Sequence, residues 1–151
     1  MRVELFDARD AGRLAQAFAI RTRVFVDEQG VPASEEIDVH DLAARTRHGL
    51  AYDGDRAIAA GRYYALDSST VQIGRMAVLA ECRGRGAGRA LLDALAGDAR
   101  RGGYLRAHLH AQTHAKSFYR KAGFVEDGEP LIDADILHQP MSASLGDYGE
   151  R

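Results

Sequence analysis

The chain has 151 residues, a length that fits one domain built around a single hydrophobic core. Hydrophobic residues make up 46% of it and charged residues 28%, a composition that argues against disorder, collagen-like repeats and coiled coil. The formal net charge of -2 disfavours general nucleic-acid binding, because a protein that tracks phosphates normally carries an excess of basic residues.

The apolar stretches fall far short of the roughly 20 residues that a transmembrane helix needs. Residues 1–5 already include an arginine and a glutamate, so we expect no signal-peptide core there. The single cysteine, Cys82, has no second thiol with which to form an internal disulfide or hold a metal. Together these features predict a cytoplasmic protein.

The first part of the chain is predicted to form a strand and then a helix. Arg2–Phe6 has the alternation of a strand, and Asp10 offers an N-cap for the helix. The positions spaced for one helical face are Leu14, Ala17, Phe18, Arg21 and Phe25. Further on, residues 50–52 and 57–66 flank Asp53-Gly54, which we predict to be the two central residues of a hairpin turn, both with positive φ.

Residues 24–44 form a connection that lacks lysine and arginine and is interrupted by Gly30 and Pro32. The connection carries six acids: Asp27, Glu28, Glu35, Glu36, Asp38 and Asp41. For any one of them, the simplest interpretation is a solvated loop face or a favourable charge at a helix start.

The strand predicted over residues 71–79 changes its inward-facing parity. Ile73 and Met76 are both apolar but lie three positions apart, so the inward-facing positions switch from odd to even numbers near Gly74 and Arg75. A β-bulge would cause it, and a central strand covered on both faces would also allow it. Both interpretations place this strand inside a sheet.

After a glycine-rich loop, residues 91–99 have helical spacing that ends at Gly102-Gly103. Residues 105–111 alternate as a half-buried strand. A short helix is predicted over residues 113–122, and Gly123-Phe124 suits a left-handed cap with a hydrophobic contact just beyond it.

Residues 125–141 should add one or two strands, and residues 142–151 are expected to form a frayed polar tail. The order of elements predicts an α/β or α+β architecture, a mixed sheet flanked by helices, in one domain over residues 1–141.

The loop between the strand over 71–79 and the next helix contains Gly84, Gly86 and Gly88. Bare backbone and the unpaired N–H groups of a helix start can hold an anion, above all a phosphate. The alternative is a tight turn without a ligand.

The residues around the glycines indicate which phosphate-containing ligand the loop could bind. A Walker loop needs Lys and then Ser or Thr, whereas Arg89-Ala90 follow Gly88. A dinucleotide fingerprint would place its third glycine one position later and lie near the start of a parallel sheet. What remains is a diphosphate held by backbone amides, with Arg83 and Arg85 adding charge.

Two segments carry a family resemblance. Residues 83–88 after the strand over 73–79 resemble the acetyl-CoA motif of the GNAT superfamily of N-acetyltransferases. Residues 112–124 are similar to the family's later segment: an amide residue, an Ala, a Tyr and then Gly-Phe. Residues 21–32 and 138–141 look like the ElaA-like subgroup, and the resemblance covers about residues 3–141.

The resemblance implies a mostly antiparallel mixed sheet with a splayed central strand pair. It implies an enzyme that moves an acetyl group from acetyl-CoA to a primary amine of a small molecule or peptide, by direct attack on the thioester. The implied cofactor-binding residues are Met76, Ala77, Val78, Arg83, Gly84, Arg85, Gly86, Ala87, Gly88, Gln112 and Ala115.

The resemblance also implies roles. N–H groups of the strand would polarise the thioester carbonyl, and Gln112 would hold the pantetheine amides. Tyr119 matches the family's general acid, a phenol that stays protonated at neutral pH. Glu28 is the leading candidate for the base or for amine binding, with Asp38, His40 and His48 behind it. The six acids together would attract a cationic amine, and Arg75 is expected to pair with one of them.

Other interpretations remain open. His108, His110 and His114 could form a metal set, but no Cys or adjacent acid completes it, so we expect no metal. Cys82 is more simply a small buried residue than a nucleophile. The alternative function is a non-catalytic acyl-CoA-binding or regulatory domain, and nucleotide-phosphate binding by an unrelated fold is a third. No nucleic-acid or membrane partner is expected, and the sequence is compatible with a homodimer through the C-terminal strands.

Overall fold

The computed structural model describes residues 1–149, in which eight strands form one sheet with helices on both faces. The strands are β1 (Arg2–Phe6), β2 (Arg47–Asp53), β3 (Arg56–Ala65), β4 (Thr70–Val78), β5 (Arg106–Gln112), β6 (Val125–Glu126), β7 (Leu131–Asp133) and β8 (Ile136–Ser144). The α-helices are α1 (Ala11–Arg21), α2 (Ala33–Glu36), α3 (Ala87–Arg101) and α4 (Lys116–Lys121). A π-helical segment, Thr22–Glu28, continues α1.

The strand order is β1-β2-β3-β4-β5-β8-β6, and β7 pairs with β8. Every pairing is antiparallel except that of β4 with β5, which is confined to Thr70–Gln72 and Arg106–His108 in residues 1–149. Beyond these residues β4 continues along β3, whereas β5 continues along β8. The two strands therefore separate and leave a gap in the centre of the sheet, which confirms the predicted fold.

A β-bulge lies in β4 where the sequence changes parity. Ala60 pairs with Ala77 and Arg62 pairs with Gly74, so the single residue Gly61 lies opposite two residues of β4. One of them, Arg75, has a φ of +53°. A Cβ at Gly61 would collide with the sulfur of Met76, which explains why a glycine faces the bulge. The bulge interpretation is confirmed.

The β2–β3 hairpin turns one residue later than predicted. Asp53 pairs with Arg56, so the two central residues are Gly54 and Asp55. Only Gly54 has a positive φ, +61°. The prediction of Asp53-Gly54 with two positive φ values was wrong, because a glycine at the first central position gives the other common hairpin turn.

The start of α1 and the end of α4 have the caps predicted from the sequence. Asp10 caps α1 by accepting the N–H of Arg13 at 3.1 Å. At the end of α4, Gly123 N donates to Arg120 O and Phe124 N donates to Tyr119 O, each at 3.0 Å. This Schellman arrangement places Phe124 in the core, as predicted.

The C-terminal segment is more ordered than predicted. Three strands, not one or two, follow α4, and β8 extends to Ser144, which pairs with Arg106. Leu145 is fully buried, and the Tyr148 hydroxyl donates to Asp93 at 2.8 Å. The expected frayed tail therefore does not hold for residues 142–148, since two apolar side chains anchor them. Residues 150–151 lie outside the described part.

Among residues 1–149, none of the helices has both the length and the apolar character that a bilayer crossing requires.

Candidate functional site

The glycine loop opens α3 without a side-chain cap. Gly86 is the N-cap residue with a φ of +86°, and Gly84 has a φ of +82°, conformations that favour glycine. A Cβ built at either glycine would meet nothing within 4 Å, so both backbones border open space. The first turn of α3 contains no acid. Its unpaired N–H groups therefore fit an anion such as a diphosphate.

A groove of about 460 Å³ runs from this loop toward α4. Val78, Cys82 and Phe118 contribute its apolar lining, and Arg89 and Lys121 contribute positive charge. Phe118, Arg89 and Lys121 were not predicted as site residues from the sequence. Their spacing held a signal, since Arg89 follows the last glycine directly and Lys121 lies three residues after Phe118 on one helix face.

Arg83 lines the groove and links Glu28 to the end of β4. Its Nη1 and Nη2 donate to the two carboxylate oxygens of Glu28 at 2.7 and 2.8 Å, and its Nε donates to Val78 O at 3.1 Å. The hydrogen bonds from Arg83 hold the pKa of Glu28 below its usual range. Glu28, the predicted base, is thus a partner of Arg83. Arg85, on the exposed surface, contacts Asp53 at 3.2 Å.

The strand register orients the predicted donors of β4. Leu79 N donates to Ile58 O at 3.0 Å, so its N–H points toward β3. Because N–H directions alternate along a strand, the N–H of Ala77 points the same way, whereas that of Val78 points toward the gap. The geometry therefore favours Val78 over Ala77 as a donor to a ligand there, and Met76 lies in the bulge, where this alternation is interrupted.

Tyr119 is buried in α4, with 8% of its surface exposed. Its ring makes edge-to-face contacts with Phe118 and Phe124, at centroid distances of 5.0 and 5.9 Å. Burial raises the pKa of Tyr119, so its hydroxyl keeps its proton at neutral pH. Ala115, also predicted as a site residue, is half-buried just before α4.

Gln112 ends β5 and makes a paired amide contact with Gln29. Gln112 Nε2 donates to Gln29 Oε1 at 2.9 Å, and Gln29 Nε2 donates to Gln112 Oε1 at 3.1 Å. Sequence reasoning identified Gln112 but missed Gln29, which is 83 positions away in the chain. The pair connects the segment after the π-helix to β5, across the mouth of the gap.

Two of the six acids are buried, which corrects the interpretation of a solvated face. Glu36 and Asp41 are 3% and 0% exposed. Arg21 Nε donates to Glu36 Oε1 at 2.6 Å, and Arg21 Nη1 donates to Asp41 Oδ1 at 2.7 Å. Arg62 Nη1 also donates to Asp41 Oδ1, at 2.6 Å. Desolvation opposes ionisation of Asp41, but the hydrogen bonds and charge of Arg21, the N–H of Asp38 and the charge of Arg62 together outweigh it and hold the pKa of Asp41 well below the usual range.

The other predicted base candidates are also engaged. Arg62 binds Asp38 at 2.6 Å, and Arg75 binds it at 3.3 Å, which confirms the expected pairing of Arg75 with an acid. His48 is buried, with its Nε2 3.1 Å from Asp41 O, and His40 stacks on Tyr64. Arginines thus pair with four of the six acids, Glu28, Glu36, Asp38 and Asp41, whereas Asp27 and Glu35 make no ion pair within residues 1–149. Attraction of a cationic amine by this segment stays a prediction.

The three histidines considered as a metal set are not all together. His108 and His110 lie on β5 with ring centroids 5.2 Å apart, whereas His114 lies on the exposed turn before α4. Within residues 1–149, no group of three or more potential ligands is arranged to hold a metal ion.

Residues 15–145 match the family model described as an acetyltransferase (GNAT) domain. An uncharacterized N-acetyltransferase of Bacillus subtilis, YjcF, is 38% identical over 135 residues, which cover 89% of this chain and 94% of that protein. The crystal structure of Escherichia coli ElaA aligns with a TM-score of 0.82 and 27% identity, over 94% of this chain and 98% of that one. An acyl-CoA N-acyltransferase of Pseudomonas aeruginosa aligns with a TM-score of 0.83 and 29% identity, over the same shares.

Proposed function

Because this chain belongs to the GNAT family of acetyltransferases, we propose that it moves the acetyl group of acetyl-CoA to a primary amine of a small molecule or peptide. The observation that carries the proposal is the position of the uncapped, glycine-built start of α3 beside the gap between β4 and β5. One end of this arrangement suits a diphosphate, and the other leaves strand N–H groups unpaired for a carbonyl oxygen.

The residues that would hold the co-substrate follow from this geometry. The amides of residues 83–88 would bind the pyrophosphate, with Arg89 and Lys121 adding positive charge beside them. Gln112 and Ala115 would border the path of the pantetheine. Acetyl-CoA supplies a thioester, whose carbonyl oxygen Met76 and Val78 would polarise through their N–H groups.

Tyr119 would act as the general acid by giving its hydroxyl proton to the departing thiolate. Its burial keeps it protonated until then, as the raised pKa indicates. We propose a direct transfer without an acyl-enzyme, since Cys82 is only 1% exposed. Arg83 would reach the phosphates by exchanging one of its bonds to Glu28.

Release of free thiol tests this function. Acetyl-CoA is incubated with the protein and, in turn, an aminoglycoside, a polyamine and a peptide with a free lysine. We expect at least one amine to raise thiol release above the rate without amine, with an acetylated product of matching mass. Acetyl-CoA binding without amine-stimulated thiol release across a broad amine set would contradict this function and favour the non-catalytic alternative.

Two coarser expectations belong to the same proposal. A cytoplasmic location rests on the single cysteine, which is typical of reducing compartments. A homodimer through the C-terminal strands is supported by Ile132 and Leu137, which pair across β7 and β8 and are 70% and 51% exposed.

A further inference from the structure

The outer face of β5 carries a pair of histidines beside the gap. Ala107, Leu109 and Ala111 of this strand are buried, so the alternating residues His108, His110 and Gln112 point to the opposite face. Gln29 contacts Gln112 on that face. The histidines therefore lie on the side of the sheet that carries the acidic connection, across from α3.

The register places His110 at the edge of the gap. His108 is the last residue of β5 that pairs with β4, where its partner is Gln72. His110, two residues further along, pairs with Pro140 of β8 but has β4 splayed away on its other side. It is also exposed, so its ring is accessible to a ligand on this face of the sheet.

His108 is held in one orientation. Its Nδ1 lies 2.8 Å from the side-chain oxygen of Gln72, which can only accept a hydrogen bond. The neutral His108 ring therefore carries its proton on Nδ1. The same ring packs edge-to-face against His110, with centroids 5.2 Å apart, and so fixes the position of His110.

We propose that His110 removes a proton from the acceptor amine before it attacks the thioester, and that His108 is a positioning residue for His110. The inference rests on the proposed function and adds its missing base. An alkylamine with a pKa near that of lysine, about 10.4, is almost wholly protonated at neutral pH, so it needs a proton acceptor at the site of attack.

The surroundings keep His110 ready to accept a proton. Partial desolvation lowers the pKa of His110, and the charges of His108 and His138 lower it further, whereas Asp133 raises it. Desolvation also lowers the pKa of His108, with Asp127 opposing and Arg106 assisting. Both rings are therefore neutral at pH 7. The competing carboxylates Glu28, Asp38 and Asp41 are each bound by an arginine.

The proton balance closes with residues already placed. His110 takes one proton from the ammonium group and passes it to solvent. The free amine forms the C–N bond while the C–S bond breaks. Tyr119 gives its hydroxyl proton to the sulfur of the departing thiolate. The attacking nitrogen then loses a second proton as it becomes the amide, and this proton restores the Tyr119 hydroxyl. The products are the N-acetylated amine, free CoA and one released proton.

The test compares two nucleophiles. One is the alkylamine from the thiol-release panel that reacts fastest, and the other is methoxyamine, which is already unprotonated at neutral pH. His110→Gln should slow turnover of the alkylamine roughly 100-fold and slow that of methoxyamine far less, because methoxyamine needs no base. Acetyl-CoA affinity should not change. His114→Gln, an exposed histidine replaced in the same way, is the matched control and should leave both rates unchanged.

The pH profile tests His108. Activity of the wild type should fall at low pH as His110 becomes protonated. In His108→Gln the positive charge that His108 gains at low pH is gone, so the pKa of His110 rises and this fall should move to higher pH. A purely structural role for His108 would lower the rate without moving the profile.

Two results would overturn the proposal. If His110→Gln lowers the turnover rates with the alkylamine and with methoxyamine equally, the effect is structural. If the variant keeps the wild-type rates, His110 has no role in the reaction. In either case the proposed function would stand, because the wild type would still release thiol. If the wild type itself releases no thiol with any amine, the proposed function and this inference fail together.

Discussion

Arg83 connects two parts of the candidate site, the segment that carries Glu28 and the end of β4 at Val78. It binds the carboxylate of Glu28 with two nitrogens and the carbonyl of Val78 with the third. An arginine fork of this kind recognises carboxylate and phosphate oxygens equally well. Glu28 therefore occupies Arg83 in the place where a phosphate could bind.

At the same scale, Tyr119→Phe tests the general acid. The variant keeps the ring and its contacts with Phe118 and Phe124, so the affinity for acetyl-CoA should not change. Turnover should fall about 100-fold, because the departing thiolate loses its proton donor.

Tyr63→Phe is the matched control, since Tyr63 is also buried but donates to Asp98 at 2.6 Å. It should cost about 1–3 kcal/mol of unfolding free energy and leave turnover unchanged. Unchanged thiol release in Tyr119→Phe would remove Tyr119 from the mechanism.

Among the elements, the strand-loop-helix unit from β4 to α3 carries the site. β4 separates from β5 just before the bulge, the separation opens the gap, and the left-handed glycines bring the uncapped start of α3 to its mouth. Each feature is a backbone property. The unit therefore depends on glycines more than on particular side chains.

Gly86→Ala tests this dependence. The left-handed conformation at Gly86 is strained by about 1–2 kcal/mol for an alanine, so the loop should shift and its amides should leave their positions. We expect the affinity for CoA, measured by isothermal titration calorimetry, to weaken about tenfold.

The control for Gly86→Ala is Gly97→Ala in the interior of α3. A Cβ there meets only the flexible end of Arg101, at 3.3 Å, and alanine favours a helix by about 1 kcal/mol. This variant should be more stable and should bind CoA as the wild type does. Equal affinities in both variants would argue against the loop amides as ligands.

The sequence predicted this unit well because its signals are local. The parity change at Gly74, the glycines before α3 and the Gly123-Phe124 cap each lie within a few residues of the structure they specify. The pairs Arg21–Asp41 and Gln29–Gln112 are separated by 20 and 83 positions, so only the folded sheet brings them together. A role for His108 and His110 as base and positioning residue was not predicted for the same reason, since the proposed role depends on the register of β5 against β4.

At the scale of the whole molecule, buried ion pairs stabilise the face of the sheet that carries α1. Arg21 and Arg62 share Asp41, and Arg62 also binds Asp38. These contacts join α1, the acidic connection and β3. Removing one partner of such a network leaves an uncompensated buried charge, so the network makes folding dependent on pH.

Denaturation with urea across pH tests this dependence. The folded-state pKa values of Asp38 and Asp41 lie below the unfolded value of 3.8, so their contribution is fully present above that value and is lost as pH falls below it. The unfolding free energy of the wild type should therefore fall steeply as the pH drops below about 4.

Asp41→Asn should lower the unfolding free energy at pH 7 by about 3–5 kcal/mol and flatten the acid slope. Asp67→Asn, in an exposed turn, is the control and should retain the wild-type stability at pH 7 to within about 1 kcal/mol. An acid slope in Asp41→Asn as steep as that of the wild type would contradict this account.

Thermal denaturation with and without acetyl-CoA tests the central claim most directly, namely that the groove beside the glycine loop binds this co-substrate. A ligand that binds only the folded state at 100 times its Kd adds about 2.7 kcal/mol, which raises the midpoint by several degrees. We expect that rise with acetyl-CoA and no comparable rise with magnesium ATP. No shift at saturating acetyl-CoA, or an equal shift with magnesium ATP, would contradict the claim.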